Sequence, residues 1–289
     1  NHPPFFLMIY FVVALSPEAH PIVDYYRLKL VSGRNPFKIY EGDGKRLIIS
    51  GVGKDCSRKA VAFLHTFSGG LRNQAWINIG IGGHAERAIG GGVLAHKITD
   101  QENGKRWYPP IVFDLPCATD SILTVNQPET GYSESCVYEM EASGFYETAT
   151  HFSTSELVHC FKVISDNRNS SHRQISAHFV QKLIKGQLPT IDELMRALDE
   201  IQSGLVRFES TPAEFGGFLK RWHFTVTEQH RLRRLLKRLA ALEPYEEIAA
   251  GKLSSLVSFP SLTGESRDSR FRGNDSKRKT SAKDVLSFL

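Results

Sequence analysis

The chain has 289 residues, 41% of them apolar, with 36 Lys and Arg against 31 Asp and Glu. That length and balance exclude a disulfide-stapled miniprotein and a disordered polyelectrolyte, and suit one large domain or one domain with an appendage. The formal charge of +5 is unevenly spread: much of the basic excess falls beyond residue 216 and describes the tail more than the core.

The opening "NHPPFFLMIYFVVAL" lacks the basic flank of a secretory signal, and its apolar run is too short to span a bilayer, so it reads as a buried strand. Met8 stands directly before "IYFVVAL", and residues 1–7 are read as upstream sequence that carries no weight. Further β-branched and aromatic runs follow: "FKIYEG", "RLIISGVG", "AWINIGIGG", "VLAHKIT", "IVFDLPCA" and "LVHCFKVISD". They lack polar alternation, as strands buried on both faces do. "EGDGK", between the first two of these, reads as a hairpin turn.

The intervening "CSRKAVAFLHTFSGG" and "ESCVYEMEASGFYETATHF" have helical spacing. The series therefore predicts an α/β protein: a three-layer α/β/α sandwich with a central mixed, mostly parallel sheet. After "VISDN" the pattern changes to amphipathic helices, around "ISAHFVQKLIKG" and "TIDELMRALDEIQSGLVRF". A third, "TVTEQHRLRRLLKRLAAL", opens on a capping box from Thr225 to Glu228 and sets Leu232, Leu235, Leu236 and Leu239 on one face. Its other face carries Arg231, Arg234, Lys237 and Arg238. Such basic faces are most often simply solvated, and no aromatic platform or groove motif accompanies this one, which argues against nucleic acid or a membrane as its partner. The expected organisation is an α/β domain over residues 8–207, a helical extension over 208–253 and a flexible, Ser-, Gly- and Arg-rich tail over 254–289.

Four cysteines, Cys56, Cys117, Cys136 and Cys160, are widely spaced with no C-x-x-C pair, which suits reduced thiols in a cytoplasm. His84, His96, His151 and His159 have no metal-ligand spacing, and no G-x-S-x-G or Cys/His pattern supports acyl transfer. "GVGKDCS" cannot form a Walker loop, because Ser57 does not follow Lys54 directly. "GIGGHAERAIGGG" likewise fails the dinucleotide fingerprint. Gly80, Gly82 and Gly83 at the end of a strand would nevertheless let a ligand approach the backbone, and they read as a pocket floor or as a plain tight turn.

Carboxylates at strand ends are more informative. Glu18 follows "IYFVVAL", Asp166 ends "FKVISD", and Glu139 and Glu141 flank Met140 in "YEMEAS". Ligands of α/β sheets gather at the carboxyl edge of the strands, where these acids would converge; for each alone, a helix cap or a solvated turn residue is the competing account.

"VVALSPEA", "GVGK", "NIGIGG", "YEMEASGFY" and "VISD" stand in an order and spacing that resemble the purine and uridine nucleoside phosphorylase family. The likeness covers about residues 8–205 and is closest to the branch that includes methylthioadenosine/S-adenosylhomocysteine nucleosidase. The resemblance implies the nucleoside phosphorylase/hydrolase-like fold, a purine nucleoside as substrate, no metal or organic cofactor, and a homodimer. It implies that Met140 and Glu141 meet the ribose, Asp166 with Ser165 beside it gives a proton to purine N7, and Glu18 holds the attacking water. Gly80, Ile81 and Gly82 would lie against the substrate, and "ATDSILTV" resembles a segment whose backbone meets the base edge, making Ile122 and Leu123 base contacts.

The chemistry needs those residue types. Cleaving an N-glycosidic bond builds positive charge on the sugar and negative charge on the base, so one acid protonates the leaving group while carboxylates serve the sugar and the water. The sequence also departs from the family. "SPEAHP" lacks the Arg and the Gly-Asp-Pro type of loop that bind phosphate, Ile81 replaces a common Ser, and His84 stands where Gly is frequent. Lys54 or Arg87 would have to reach a phosphate. Water is therefore the expected nucleophile. A phosphate-dependent phosphorylase and a nucleoside-binding protein without turnover are the alternatives.

Overall fold

In the computed structural model the chain is described over residues 8–129, 131–170, 175–209 and 213–242. Residues 1–7 and the tail expected over 254–289 lie outside the described residues, as does the side chain of Leu239. The described chain divides into two compact units at Gly204/Leu205.

The first unit is built on one mixed sheet. Its strands are β1 (Ile9–Val13), β2 (Lys29–Leu30), β3 (Lys38–Gly42), β4 (Lys45–Ile49), β5 (Ala75–His84), β6 (Gly92–Asp100), β7 (Arg106–Trp107), β8 (Ala118–Thr124), β9 (Val137–Glu139) and β10 (Val158–Asp166). The helices are α1 (Ser16–Tyr25), α2 (Lys54–Phe67), α3 (Ala142–Ala149), α4 (Ala177–Gly186) and, as far as Gly204, α5 (Leu188–Glu209). Strands β4, β1, β5 and β10 run parallel at the centre. Antiparallel pairs finish the sheet at β2–β3 and β3–β4 on one side and at β6–β7 on the other.

Alternation along β1 shows why the unit has three layers. Ile9, Phe11 and Val13 pack with Ile22 of α1, Ile184 of α4 and Ile191 of α5, whereas Tyr10 and Val12 pack with Val61 and Leu64 of α2 and Phe145 of α3. A one-residue slip would exchange the two cores, so burial fixes the register. The hairpin expected at "EGDGK" is present: Asp43 and Gly44 both have positive φ, 44° and 69°, as a two-residue type I′ turn requires.

Two expectations fail. "IVFDLPC" is not a strand: Pro109, Pro110 and Pro116 interrupt ladder pairing, Val112 and Leu115 are exposed, and the strand begins only at Ala118. "ESCVYEMEASGFYETATHF" is not helical throughout, because Val137 and Tyr138 are claimed from both sides by β8 and β5, and α3 starts only after Glu141.

Strand β5 changes partners along its length. It pairs with β1 as far as Ile79 and with β9 at Gly83 and His84. Through β10, β6, β8 and β9 the sheet then closes back on β5. Gly80–Gly82 lie in the gap between the two pairings with β1 and β9, at the carboxyl edge of the sheet, where α/β proteins place ligands.

The second unit contains α6 (Ala213–Arg221) and α7 (Val226–Leu242), joined through Phe215, Phe218, Phe224, Leu232 and Leu236. Helix α6 is not evident in sequence because Gly216 and Gly217 weaken it; Phe215 and Phe218, packed with Leu232 and Leu236 of α7, offset that cost. The Thr225–Glu228 capping box forms at the start of α7: the Glu228 carboxylate accepts from Thr225 N at 2.9 Å. Arg231, Arg234 and Arg238 are exposed on it.

Candidate active site

The sharp turn from β1 into α1, with Pro17 in the first turn, brings Glu18 back over the strand end. Its Oε2 accepts from Leu15 N at 2.9 Å, while its Oε1 accepts from Ile81 N at 3.0 Å, in the gap of β5. Glu18 thus caps its own helix and holds the neighbouring strand. Burial pushes its carboxyl up, against the opposing effects of the Ile81 amide and the Lys162 ammonium.

Lys162 lies in the middle of β10 and is fully buried, with Nζ 2.8 Å from Glu139 Oε2. Burial alone would favour the neutral amine, but Glu139 and Glu141 outweigh it and keep the ammonium charged. Glu139 is fully committed to structure. It accepts from Glu141 N at 2.9 Å and Ala142 N at 2.8 Å, so it caps α3, and Thr124 Oγ1 donates to its other oxygen at 2.6 Å.

Glu141, in the N-cap position of α3, does not cap its own helix with its side chain. Its Oε1 accepts from Gly53 N at 2.8 Å, at the start of α2. Burial, together with the nearby Glu139 and Glu18 carboxylates, pushes its pKa up to about 7 despite Lys162. Glu18, Glu139, Glu141 and Lys162 therefore form one electrostatic cluster, in which one cation faces three acids.

Asp166 belongs to a second cluster. Strand β10 carries a bulge between Ile164 and Asp166, which moves Asp166 opposite Gly83. Ser165 Oγ donates to Asp166 Oδ1 at 2.5 Å, and the Tyr132 phenol donates to Oδ2. Tyr132 packs with Leu123, Tyr138, Ala85 and Cys136, and Met140 lies against the same group. Gly80 and Gly83 are three residues apart, about 10 Å along a strand, so the two clusters flank successive parts of one strand end. Glu18, Glu141 and Asp166 are 3%, 7% and 5% exposed, whereas Ile81 and Met140 are half-buried.

Solved structures share this architecture. The chain matches the 5′-methylthioadenosine/S-adenosylhomocysteine nucleosidase of S. pneumoniae over 66% of its own length and 100% of that chain, with TM-score 0.52 and 18% identity. It matches the Arabidopsis thaliana 5′-methylthioadenosine nucleosidase over 67% and 96%, with TM-score 0.55 and 14% identity. Futalosine hydrolase of Helicobacter pylori matches over 67% and 99%, with TM-score 0.54 and 12% identity. The chain has the nucleoside phosphorylase/hydrolase fold. No protein-family model matches the sequence, and no curated protein is significantly similar to it.

Within this fold the sequence-derived residues other than Ile122 fall into three places. Glu18, Gly80, Ile81 and Glu141 surround the Lys162 cluster; Met140, Leu123, Ser165 and Asp166 surround Tyr132; Gly82 lies against Val137 and Glu139. Ile122 is brought to neither cluster. Its side chain is in the core beneath α2 and α3, and β8 is paired on both sides at Ile122 and Leu123, which leaves neither backbone open to a base.

The glycines are also not an open floor. A Cβ at Gly80 would lie 3.1 Å from Glu18 Oε1 and 3.3 Å from Lys162 Nζ, and one at Gly83 would lie 2.7 Å from the Tyr132 hydroxyl. They admit the protein's own functional groups.

Sequence reasoning missed Lys162 and Tyr132. A lysine inside the apolar run "VHCFKVISD" was a visible signal, since burying it demands acidic partners. Tyr132 gave none, because its loop follows no periodicity. His84 accepts at Nδ1 from Glu86 N and Arg87 N, both at 3.0 Å, so its proton sits on Nε2, facing Asp120 at 3.5 Å.

Proposed function

We propose that this protein is a nucleosidase that hydrolyses the N-glycosidic bond of a purine nucleoside or a 5′-modified adenosine. The observation that carries the reading is the placing of two buried acidic stations, Glu18 with Glu141 and then Asp166, along the end of one glycine-rich strand. It is supported by a fold shared with methylthioadenosine nucleosidases and futalosine hydrolase.

A nucleoside presents sugar hydroxyls at one end and base nitrogens at the other. Glu141 accepts hydrogen bonds from the ribose hydroxyls, with Met140 against the sugar. Glu18, whose burial raises its affinity for a proton, takes one from the water that attacks C1′. The C1′–N9 bond breaks, its electron pair passes to the base, and Asp166 supplies a proton at N7. The products are a free purine and a sugar bearing the new C1′ hydroxyl. Lys162 keeps Glu18 and Glu141 near the developing oxocarbenium without leaving three buried acids uncompensated.

Water is favoured over phosphate by the state of the nearby cations. Lys54 Nζ sits between Asp100, at 2.9 Å, and Glu102, at 2.5 Å, and Arg87 is bound to Asp120 and the Thr119 carbonyl. A phosphate dianion would meet the carboxylates of Glu18, Glu139 and Glu141. The assembly we propose is a homodimer, whose mass light scattering measures directly, and the free cysteines support a cytoplasmic location. Among the described residues no helix is long and apolar enough to cross a membrane.

The test is incubation with methylthioadenosine, adenosine and inosine, with and without phosphate. Free base released without phosphate is the expected result. Release only with phosphate replaces hydrolysis by phosphorolysis, binding without release makes the protein a nucleoside-binding one, and neither release nor binding overturns the reading.

A further inference from the structure

Tyr132 is bound to the site in more ways than a core residue needs. Its phenol donates to Asp166 Oδ2, and its carbonyl accepts from Arg168 Nη2 at 2.7 Å, two residues beyond Asp166. Its ring meets that of Tyr138 edge-on at 5.7 Å, and Tyr138 Oη accepts from Glu134 N at 2.7 Å, which ties the loop down a third time. The residue holds φ +46°, a backbone region that a bulky side chain occupies only when its surroundings impose it. Gly83 lacks a side chain just where this ring and the Asp166 carboxylate approach the strand.

We infer that Tyr132 is a positioning residue whose phenol fixes the Asp166 carboxyl group and stabilises the charge left on it when it gives up a proton. The inference rests on the reading of Asp166 as proton donor. Two hydroxyls, from Ser165 and Tyr132, donate to the two oxygens of Asp166, and each oxygen retains a lone pair that can carry the proton bound for the base. The charged groups around the pair are Arg168, on the Tyr132 carbonyl, and Glu129, whose carboxylate acts on the Tyr132 phenol. A donor lost from a carboxylate removes a charge-assisted hydrogen bond and makes the acid weaker.

The experiment follows the Asp166 carboxyl resonance by NMR, assigned with Asp166→Asn, through a pH titration of the wild type and of Tyr132→Phe. The phenylalanine keeps the ring against Tyr138 and removes only the hydroxyl. The expected result is a midpoint higher in the variant by roughly one pH unit, the size of one such hydrogen bond, together with the same displacement of the alkaline limb of base release. Gly83→Ala, whose Cβ would crowd the Tyr132 hydroxyl and Asp166 Oδ2 alike, disturbs the same hydrogen bond with Tyr132 intact; it is expected to move the midpoint in the same direction and decides the matter if Tyr132→Phe does not fold. An unchanged midpoint in a folded variant overturns the inference. A wild type that releases no base overturns the nucleosidase reading instead, and the titration still decides the part played by Tyr132.

Discussion

Lys162 Nζ and Glu139 Oε2 lie 2.8 Å apart with both side chains sealed from solvent, and Glu139 at the same time caps α3 with that carboxylate. One ion pair thus sets the start of α3, on which Glu141 stands, against the strand that ends in Asp166. Removing either partner leaves an uncompensated buried charge. Lys162→Met is expected to lose about 3–5 kcal/mol of stability in urea unfolding.

The two acids beside Met140 are expected to behave oppositely. Glu139→Gln breaks the Lys162 pair and weakens the α3 cap, so its unfolding temperature falls by many degrees. Glu141→Gln, whose amide oxygen can still accept from Gly53 N, keeps the fold but abolishes base release. Thermal unfolding and a nucleoside assay on both variants separate the roles, and equal loss of stability in the two would sink the assignment.

Gly144 is the contact point of α3 with the start of α2. A Cβ there would lie well inside contact distance of the Lys54 carbonyl and its Cα. Gly144→Ala must therefore shift α3, and Glu141 with it, away from Gly53. A loss of about 1–3 kcal/mol is expected from overpacking, with base release falling further than stability alone explains.

Acid lability should come in part from His159, which is fully enclosed, with Nε2 3.0 Å from the Glu156 carbonyl. Burial pushes its pKa down to about 4, below the ordinary value of 6.5. Its contribution to stability is therefore complete above pH 6.5 and is lost as pH falls towards 4. At pH 5 the loss is about 2 kcal/mol. Glu141 works the other way: raised from 4.5 to about 7, it favours the fold below pH 4.5, and that contribution is lost as pH rises through 7. Unfolding free energies between pH 4 and 8 should lose their rise with pH in His159→Gln and their fall with pH in Glu141→Gln.

The sandwich, its strands and most of its helices were legible in sequence because burial on both faces removes polar alternation from a strand, as in "IYFVVAL", and an amphipathic helix keeps its period, as in "ISAHFVQKLIKG". Glu18, Glu141 and Asp166 could be singled out for a similar local reason: each follows or ends an apolar run, where a charge has to be explained. "IVFDLPC" misled because its composition is that of a strand, while its prolines deny it partners.

What the sequence by itself determined is therefore what depends on neighbours along the chain: element type, buried faces, and the acids at strand ends. Tertiary structure alone decided how those acids are divided. The switch of β5 from β1 to β9 opens the gap that receives Glu18, the bulge at Ser165 turns Asp166 towards Gly83, and the loop after β8 brings Tyr132 onto it. Each of these is a contact between segments tens of residues apart, set by strand pairing and by space left at a glycine, and neither quantity is carried by local periodicity.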